Sequence, residues 1–320
     1  MQVFRGFHHP GIAPACALTI GNFDGVHRGH QAMLALLHSE AKHRGLPSCV
    51  MTFEPHPRDH FAKLAGKPAL APARIATLRD KLSELERCGV DQVVVLRFDT
   101  RLASLSPQAF IDDVLVRGLG TRYVLVGDDF RFGARRAGDY AMLDAAGSQG
   151  GFDVARMLSY EVHGLRVSSS AVREALAAGD MAGVANLLGR PYSVSGHVVH
   201  GRKLGRELGF PTLNLRFGHP KPAAMGIFVV RVYGVADRPL RGVASLGVRP
   251  SVEDAGRVLL ETHCLDWPLA PDAGYGRCVR VELLHKLHDE RRYESMPALR
   301  EGIARDESDA RLWFATHPSC

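Results

Sequence analysis

The chain has 320 residues, of which 46% are hydrophobic and 23% are charged, and its formal net charge is +6. Chains longer than about 250–300 residues usually divide into more than one hydrophobic core, so we expect two domains. The balanced composition excludes a disordered protein. The sequence contains neither a secretory leader pattern nor a run of about 18 apolar residues. We therefore expect a cytoplasmic protein without a membrane partner.

The cysteines and the basic residues indicate neither a zinc or redox site nor a nucleic-acid partner. None of the six cysteines belongs to a C-x-x-C pair, so neither a zinc knuckle nor a redox dithiol is indicated. Lysines and arginines are interleaved with acidic residues and form no block of like charge, which argues against a nucleic-acid partner. Small phosphorylated substrates account for the basic surplus equally well. The sequence is compatible with a monomer or a weak homo-oligomer.

The first half of the chain alternates between strand and helix patterns. An apolar run over residues 15–20 precedes a glycine-rich turn, and apolar residues recur at helical spacing over residues 31–44. Further strands are predicted at 48–53, 92–98 and 123–126, with helices at 75–88 and 107–117. The alternation predicts an α/β fold, with a Rossmann-like parallel sheet covered by helices on both faces. Ligands of such sheets bind beyond the carboxyl ends of the strands, where residues 21–30 and 127–133 fall.

The second half has the pattern of a small antiparallel β-barrel. The helical pattern of residues 170–188 ends at Gly189 and Pro191, so we place the boundary there, which gives domains of residues 1–188 and 189–320. Short β-rich runs follow at 192–199, 227–233, 242–246, 258–264 and 278–284. Helical periodicity returns over residues 296–314, and one or two helices should close the chain against the barrel.

Residues 21–30, G-N-F-D-G-V-H-R-G-H, form the first candidate site. The glycine spacing matches neither G-x-G-x-x-G nor the P-loop, so both of those interpretations are weak. A turn of this kind points backbone N–H groups and a helix N-terminus at one place, which favours an anion. His27 and His30 would project from one face, with Gly29 leaving room for a phosphate, as attack at an α-phosphate requires.

Two alternatives apply to these histidines. They could be ordinary residues at a helix start, or they could form a metal site together with His56. No nearby carboxylate or cysteine completes such a ligand set. The H-R-G-H end resembles the H-x-G-H signature of adenylyl-transferring α/β enzymes, and all ten residues are similar to the member that forms FAD. The resemblance implies His27 and His30 as catalytic residues. It implies nucleotide-binding roles for Gly21, Asn22, Phe23, Asp24 and Gly29.

Further segments of the first half resemble the same enzymes. Residues 52–57 are similar to their flavin-side loop, although Phe53 could equally belong to the core. Residues 127–133 are similar to their G-x-D-F-x-F-G segment, and we expect its two phenylalanines to be exposed. The substrate-binding residues implied by these two segments are Phe53, His56, Asp129, Phe130 and Phe132.

Residues 167–173 resemble the [IV]-S-S-T-x-x-R helix start of the same superfamily. Serine at a helix N-cap is common in any protein, so the serines alone carry little weight. The resemblance implies that Arg173, one turn into the helix, is a catalytic residue that stabilises departing pyrophosphate. It gives binding roles to Ser168, Ser169 and Ser170.

Residues 201–215 form the second candidate site. Their glycines alone would be typical of a solvated hairpin loop. The whole string is similar to the riboflavin kinase motif G-x-x-L-G-F-P-T-x-N, which implies that Thr212 and Asn214 bind Mg²⁺ through oxygen atoms. Leu213 stands where alanine is usual, and strand alternation should point it away from both. The resemblance also gives binding roles to Gly201, Gly205, Arg206 and Gly209.

Residues 260–267 resemble the E-x-H-x-x-D-[FW] strand of the same kinases, whose glutamate is the general base for the riboflavin 5′-hydroxyl. A glutamate in an apolar β-rich run is costly unless it is used or paired, so we expect Glu261 to be that base. Two nearby segments depart from the kinase pattern. Ser245 replaces an asparagine and His288 an arginine, whereas Arg249 retains the arginine that implies a binding role.

From about residue 15 to 314, the motifs resemble those of the bifunctional bacterial riboflavin kinase/FMN adenylyltransferase (FAD synthetase) family and occur in the same order along the chain. The resemblance implies phosphorylation of riboflavin to FMN in the barrel and adenylylation of FMN to FAD in the α/β domain, both with ATP and magnesium. One alternative is FAD synthesis alone, with a kinase impaired at Ser245 and His288. Another is a non-catalytic nucleotide- or RNA-binding protein.

Overall fold

The computed structural model describes residues 1–162, 164–201, 208–219, 221–248, 258–267 and 274–318. The chain divides into two compact units. The first contains Met1–Pro72 and Lys81–Ser168, and the second contains Ala73–Asp80 and Ser169–Cys320. The second unit therefore includes the helical region that precedes residue 189, and the functional boundary after residue 188 stays a prediction.

The first unit is built on a six-stranded parallel sheet with the strand order β1-β4-β3-β2-β5-β6. Its strands are β1 (Gln2–Arg5), β2 (Cys16–Ile20), β3 (Ser48–Glu54), β4 (Gln92–Arg97), β5 (Thr121–Gly127) and β6 (Asp153–Met157). The four inner strands confirm the predictions from apolar runs and are largely buried. The sequence patterns do not predict β1 and β6, because these edge strands are partly exposed and lack a continuous apolar run.

Helices cover both faces of this sheet, as predicted. They are α1 (Arg28–His43), α2 (Pro57–Leu64), α3 (Leu78–Arg87), α4 (Thr100–Ala103), α5 (Pro107–Ala109), which continues as a π-helix over Phe110–Gly118, and α6 (Tyr140–Gly150). Leu37 of α1 packs with Leu125 of β5 on one face, whereas Ile111 packs with Val124 of β5 on the other. A short hairpin of β7 (Glu161–Val162) and β8 (Leu165–Arg166) follows β6.

The second unit contains a closed antiparallel barrel with the strand order β10-β13-β12-β11-β14-β9, which confirms the predicted barrel. Its strands are β9 (Tyr192–Val199), β10 (Thr212–Arg216), β11 (Gly226–Tyr233), β12 (Leu240–Val248), β13 (Val258–Cys264) and β14 (Cys278–His288). Phe228, Val230 and Leu260 are fully buried in its core, which Val172 and Val184 from the preceding helices extend.

The helical regions of the second unit differ from the prediction in one place. The pattern of residues 170–188 is not one helix but two, α7 (Ser169–Ala178) and α8 (Met181–Leu188). Gly179 has φ of 75°, and the Asp180 side chain caps α8 by accepting a hydrogen bond from the N–H of Gly183. The C-terminal region forms a single helix, α9 (Met296–Thr316). Within the described ranges, no helix is both long and apolar enough to cross a membrane.

Candidate active sites

Three predicted segments follow neighbouring strands of the parallel sheet. Residues 52–57, 21–30 and 127–133 lie at the carboxyl ends of β3, β2 and β5, which are adjacent in the sheet. After β2 the chain adds β3 on one side of it and later adds β5 on the other side. Parallel sheets bind ligands at such a switch point. The fold therefore brings these three segments to one edge.

His27 and His30 lie side by side at the start of α1. Nδ1 of His27, the N-cap residue, accepts a hydrogen bond of 3.3 Å from the backbone N–H of His30. The two rings are stacked, with centroids 3.6 Å apart and planes inclined by 16°. Because Nδ1 of a neutral His27 is an acceptor, the ring proton is on Nε2, from which it can be donated to an anion. The rings share one face, as their spacing predicts.

The turn that precedes α1 has a strained backbone. Phe23 and Val26 have φ of 48° and 42°, in the left-handed region that non-glycine residues rarely adopt. Such conformations cost on the order of 1 kcal/mol each and are concentrated at functional sites. The Phe23 ring is buried, and its centroid lies 4.9 Å from that of His30. The turn thus places an aromatic support beside His30.

The small and polar residues of the turn have separate roles. A Cβ at Gly29 would lie 3.3 Å from the His27 ring, and one at Gly21 would lie 3.0 Å from the Phe23 ring, so both glycines make room for rings. Asp24 is buried in the turn. Oδ1 of Asn22 is also buried and has no hydrogen-bond partner within the part of the chain that the structure describes. It is available to a ligand.

His30 is neutral near pH 7. Burial of the ring, and to a lesser degree the charges of His27 and Lys81, hold its pKa well below the ordinary value of 6.5. Lys81 lies in α3, is 1% exposed and donates from Nζ to Oγ1 of Thr52 at 3.3 Å. The sequence patterns do not single out Lys81, because a lysine among polar helix residues is typical of a solvated face.

The loop after β3 contains a cap and an aromatic cluster. Nδ1 of His56 accepts a hydrogen bond of 3.1 Å from the N–H of Arg58, and the buried His56 thereby caps α2. The ring of Phe53 is half-buried and meets that of Phe98 edge-on at 5.7 Å. The binding roles of Phe53 and His56 stay predictions.

The expected exposure of both phenylalanines in the loop after β5 is wrong for Phe132. Phe132 is 6% exposed and packs between Phe110, at 5.7 Å, and Phe130, at 5.5 Å between ring centroids. The contact with Phe110 comes from a distant part of the chain, so the local pattern does not reveal it. Phe130 is half-buried and Asp129 is exposed. Phe132 therefore supports Phe130 from the core.

The serine-rich segment begins a helix, as predicted. Ser168 precedes α7, whose first residues are Ser169 and Ser170. Arg173 donates from Nε to the carbonyl oxygen of Ala73 at 2.6 Å within the second unit. The assignment of Arg173 to pyrophosphate stays a prediction, as do the binding roles of the serines.

The second candidate site lies at a cavity of about 90 Å³ at the barrel. The lining residues come from four segments of the chain and are Gly201, Pro211, Thr212, Leu213, Asn214, Thr262, Cys264, Trp267, Gly274 and Tyr275. Of the predicted kinase residues, the structure brings Gly201, Thr212 and Asn214 to this cavity.

Asn214 and Thr212 form a polar pair on β10. Nδ2 of Asn214 donates to the carbonyl oxygen and to Oγ1 of Thr212, at 3.3 and 3.4 Å. Oδ1 of Asn214 is buried and has no hydrogen-bond partner among the described residues. Glu261 of β13 stands directly opposite Asn214 in the strand pairing. Leu213 is 7% exposed, belongs to the barrel core and also lines the cavity, and its orientation away from the pair stays a prediction.

The glycine-rich segment before β10 is described only in part. A Cβ at Gly201 would lie 2.6 Å from Nδ2 of Asn214, so this position must lack a side chain for Asn214 to take its place. Gly209 is exposed and has φ of 93°. Gly205, Arg206 and Arg249 lie outside the described residues, and their binding roles stay predictions.

Both departures from the kinase pattern have polar partners. Oγ of Ser245 donates to Oε1 of Glu290 at 2.8 Å. Nε2 of His288 lies 2.8 Å from Oδ1 of Asp306, and its Nδ1 lies 2.7 Å from the carbonyl oxygen of Asp289. Both ring nitrogens therefore lie within hydrogen-bonding distance of oxygen atoms, so His288 has polar partners at the position where the family has an arginine.

Within the described ranges, no group of three or more histidine, cysteine, aspartate or glutamate side chains lies together in a way that could hold a metal ion. The proposed trio of His27, His30 and His56 is therefore not assembled. The oxygen atoms of Thr212 and Asn214 are a different kind of site, suited to a hard cation.

Two family models match the chain. The FAD synthetase model covers residues 10–171, and the riboflavin kinase model covers residues 188–314. Together with the parallel-sheet site and the barrel site, they define a two-module transferase that forms flavin nucleotides. The chain belongs to the bifunctional riboflavin kinase/FMN adenylyltransferase family.

Individual relatives agree over nearly the whole chain. The bifunctional riboflavin kinase/FMN adenylyltransferase of Escherichia coli (strain K12) is 47% identical, with 98% of each chain covered. That of Pseudomonas fluorescens is 45% identical, again with 98% of each chain covered. A solved structure described as a macrolide-efflux protein from Streptococcus pneumoniae is 26% identical, with a TM-score of 0.76, and the match covers 97% of this chain and 99% of that one.

Proposed function

We propose that the barrel of this chain phosphorylates riboflavin to FMN and that the parallel-sheet unit adenylylates FMN to FAD, with ATP as the second substrate of both reactions. This division is supported by the two family models, since the FAD synthetase model matches residues 10–171 and the riboflavin kinase model matches residues 188–314. The observation that supports the proposal most directly is a separate polar set in each part: His27 and His30 at the switch point of the sheet, and Thr212, Asn214 and Glu261 on paired barrel strands.

In the kinase step, the 5′-hydroxyl oxygen of riboflavin attacks the γ-phosphorus of ATP. The bond from that phosphorus to the β,γ-bridging oxygen breaks, and ADP leaves. Glu261 receives the hydroxyl proton; it pairs directly opposite Asn214, so the two side chains extend from the same face of their strands. Proton transfer of this kind contributes about 10²- to 10⁴-fold to a rate.

Magnesium fits the barrel site. The buried Oδ1 of Asn214 has no partner within the described part of the chain, and the Thr212 hydroxyl lies beside the same amide. Thr212 and Asn214 would hold the ion, which would neutralise phosphate charge when bound. The chain's own contribution is to orient these two oxygens through the Asn214–Thr212 hydrogen bonds and to take up the proton at Glu261.

In the adenylyl transfer, a phosphate oxygen of FMN attacks the α-phosphorus of ATP. The bond to the α,β-bridging oxygen breaks, and pyrophosphate leaves. His27 donates from Nε2 to a non-bridging oxygen of the α-phosphate, with the neutral His30 stacked against it. The N-terminus of α1 adds backbone N–H groups and a positive dipole end. Magnesium bound to the triphosphate would neutralise part of its charge.

The decisive experiment supplies the purified protein with riboflavin, ATP and magnesium and separates the flavins by chromatography. The proposal predicts FMN first and FAD second. Conversion of supplied FMN to FAD without any phosphorylation of riboflavin would mean an impaired kinase. Absence of ATP consumption with either flavin would indicate a binding protein instead. No contact of Ser245 or His288 favours the first alternative, and no described residue favours the second over the transferase.

We also propose small-molecule substrates without nucleic-acid or membrane partners, a cytoplasmic location, and a monomer or weak homo-oligomer. The riboflavin kinase and FAD synthetase family models support the substrate class. Sedimentation velocity at micromolar concentration, with and without added RNA, tests the state of assembly and the nucleic-acid prediction together.

A further inference from the structure

Lys81 carries a positive charge into the interior of the first unit. Its side chain is 1% exposed, although it lies in the first turn of α3. Burial of an ammonium group is costly, and the positive end of the helix dipole lies at the same helix terminus. A shorter or apolar residue would avoid both costs. The position of Lys81 therefore calls for an explanation in terms of what its charge acts on.

A chain of hydrogen bonds leads from Lys81 to the turn of residues 21–30. Nζ of Lys81 donates to Oγ1 of Thr52 at 3.3 Å, and Oγ1 of Thr52 donates to the carbonyl oxygen of Asn22 at 3.2 Å. Thr52 is fully buried on β3, so neither bond is shared with solvent at that hydroxyl. Lys81 thus fixes the backbone at the start of the turn.

The same charge acts on His30. Among the described residues, the titratable groups that act on that ring are His27, which stacks on it, and Lys81 from α3. Burial, then His27, then Lys81 lower the pKa of His30. Nδ1 of His30 is buried and has no hydrogen-bond partner among the described residues. None of the described residues therefore offers an acceptor at Nδ1 that would stabilise the doubly protonated, charged ring.

We propose that Lys81 is a positioning residue of the adenylyl-transfer site: through Thr52 it holds the start of the turn that carries His27 and His30. The inference rests on the proposed FMN adenylyltransferase function of this unit. A neutral His30 can stack on His27 without like-charge repulsion, and a fixed turn keeps both rings aligned for the arriving triphosphate.

The test compares four variants with the wild type. Lys81→Met removes the charge, Lys81→Arg retains it, and Thr52→Val removes the hydrogen-bond relay while keeping Lys81. Lys63→Met removes an exposed lysine of α2 as the control. For each protein, NMR titration of ¹³C-labelled histidines gives the pKa of His30, assigned through loss of its signal in His30→Gln. Conversion of FMN and ATP to FAD gives kcat and KM against pH.

Lys81→Met should raise the pKa of His30, so the acid limb of the pH–rate profile for adenylyl transfer should move to higher pH. It should also lower kcat by about tenfold or more, with a smaller change in KM for FMN. Lys81→Arg should restore the His30 titration and most of kcat. Thr52→Val should lower kcat while leaving the His30 titration near that of the wild type. Lys63→Met should change neither.

A kcat for FAD formation within twofold of the wild type in Lys81→Met, or in Thr52→Val, would overturn the inference. If Lys81→Met does not fold, as judged by circular dichroism, Lys81→Gln takes its place under the same criterion. Wild-type protein that fails to make FAD from FMN would instead contradict the proposed function itself. Riboflavin phosphorylation by the same samples normalises the amount of active protein.

Discussion

Nδ1 of His27 accepts the backbone N–H of His30, while the two imidazole rings stack 3.6 Å apart. The hydrogen bond fixes the tautomer of His27, so that its ring proton lies on Nε2. The stack fixes the orientation of both rings relative to α1. The pair is therefore a preorganised donor for an anion at the helix N-terminus, rather than two independent surface histidines.

Loss of His30 should stop the pathway at FMN. His30 holds the His27 donor in place by stacking on it, and preorganised donors to a developing phosphate charge are worth about 10²- to 10³-fold in rate. His30→Ala should therefore lower FAD formation by up to that factor and leave riboflavin phosphorylation unchanged. Chromatography of the flavins after reaction with riboflavin and ATP measures both steps. His38→Ala, at an exposed position of the same helix, is the matched control. Normal FAD output from His30→Ala would remove this residue from the mechanism.

The lowered pKa of His30 predicts acid sensitivity of the fold. Burial depresses the folded-state pKa below 6.5, so between those two values the unfolded chain binds more protons than the folded one. The free energy of unfolding should therefore decrease as the pH falls below about 6.5, and less so in His30→Gln. Urea unfolding at several pH values measures the slopes, with His38→Gln expected to follow the wild type. Equal slopes in His30→Gln and the wild type would refute the prediction.

Replacement of Glu261 should have the opposite effect on the two steps. Glu261→Gln removes the proton acceptor beside Asn214 and should slow FMN formation by about 10²- to 10⁴-fold, while supplied FMN is still converted to FAD. Glu301→Gln, at an exposed position of α9, is the control. Failure of both steps together in Glu261→Gln, without unfolding, would contradict a role confined to the kinase.

A methyl group at Gly201 should disturb the barrel site. The new Cβ would lie 2.6 Å from Nδ2 of Asn214, so the amide must move and its Oδ1 with it. Because small displacements of binding groups are costly, Gly201→Ala should lower the kinase rate by about tenfold to a hundredfold and leave adenylyl transfer intact. Gly218→Ala introduces a methyl group with no atom within 4 Å and serves as the control. Equal kinase rates in the two variants would argue against the prediction.

His288 should be replaceable by arginine but not by a residue without a hydrogen-bond donor. Its Nε2 lies 2.8 Å from Oδ1 of Asp306, and both side chains are mostly buried. His288→Leu should lower the free energy of unfolding by about 1–3 kcal/mol, because a mostly buried carboxylate loses its hydrogen-bond partner, whereas His288→Arg should retain most of it. Urea unfolding near pH 7 measures the difference. Greater loss in the arginine variant would show that the shape of the side chain, rather than its hydrogen bond, matters here.

Much of the fold follows from local sequence patterns. The inner strands of the sheet are continuous apolar runs, and the barrel strands are short runs bounded by glycine and proline, so the local patterns predict both. The local pattern does not predict the break between α7 and α8, since the apolar spacing continues through Gly179 and Asp180. A positive φ and a side-chain cap end one helix and begin the next, although the periodicity continues.

The candidate sites show the same division. The segment of residues 21–30 and the Thr212–Asn214 pair are contiguous in sequence, and their motifs lead directly to them. Lys81 and the support of Phe130 by Phe132 depend on contacts between distant parts of the chain. Burial of Lys81 cannot be read from the polar face of α3, because only tertiary packing determines which polar residue of that helix is covered.

Product analysis of the wild-type protein tests the bifunctional claim most directly. With riboflavin, ATP and magnesium, FMN should accumulate first and FAD should follow, with ADP and pyrophosphate as the by-products of the two steps. FAD formed only when FMN is supplied, with riboflavin left unphosphorylated, would contradict the kinase half of the account. FMN that is never converted to FAD would contradict the role of His27 and His30.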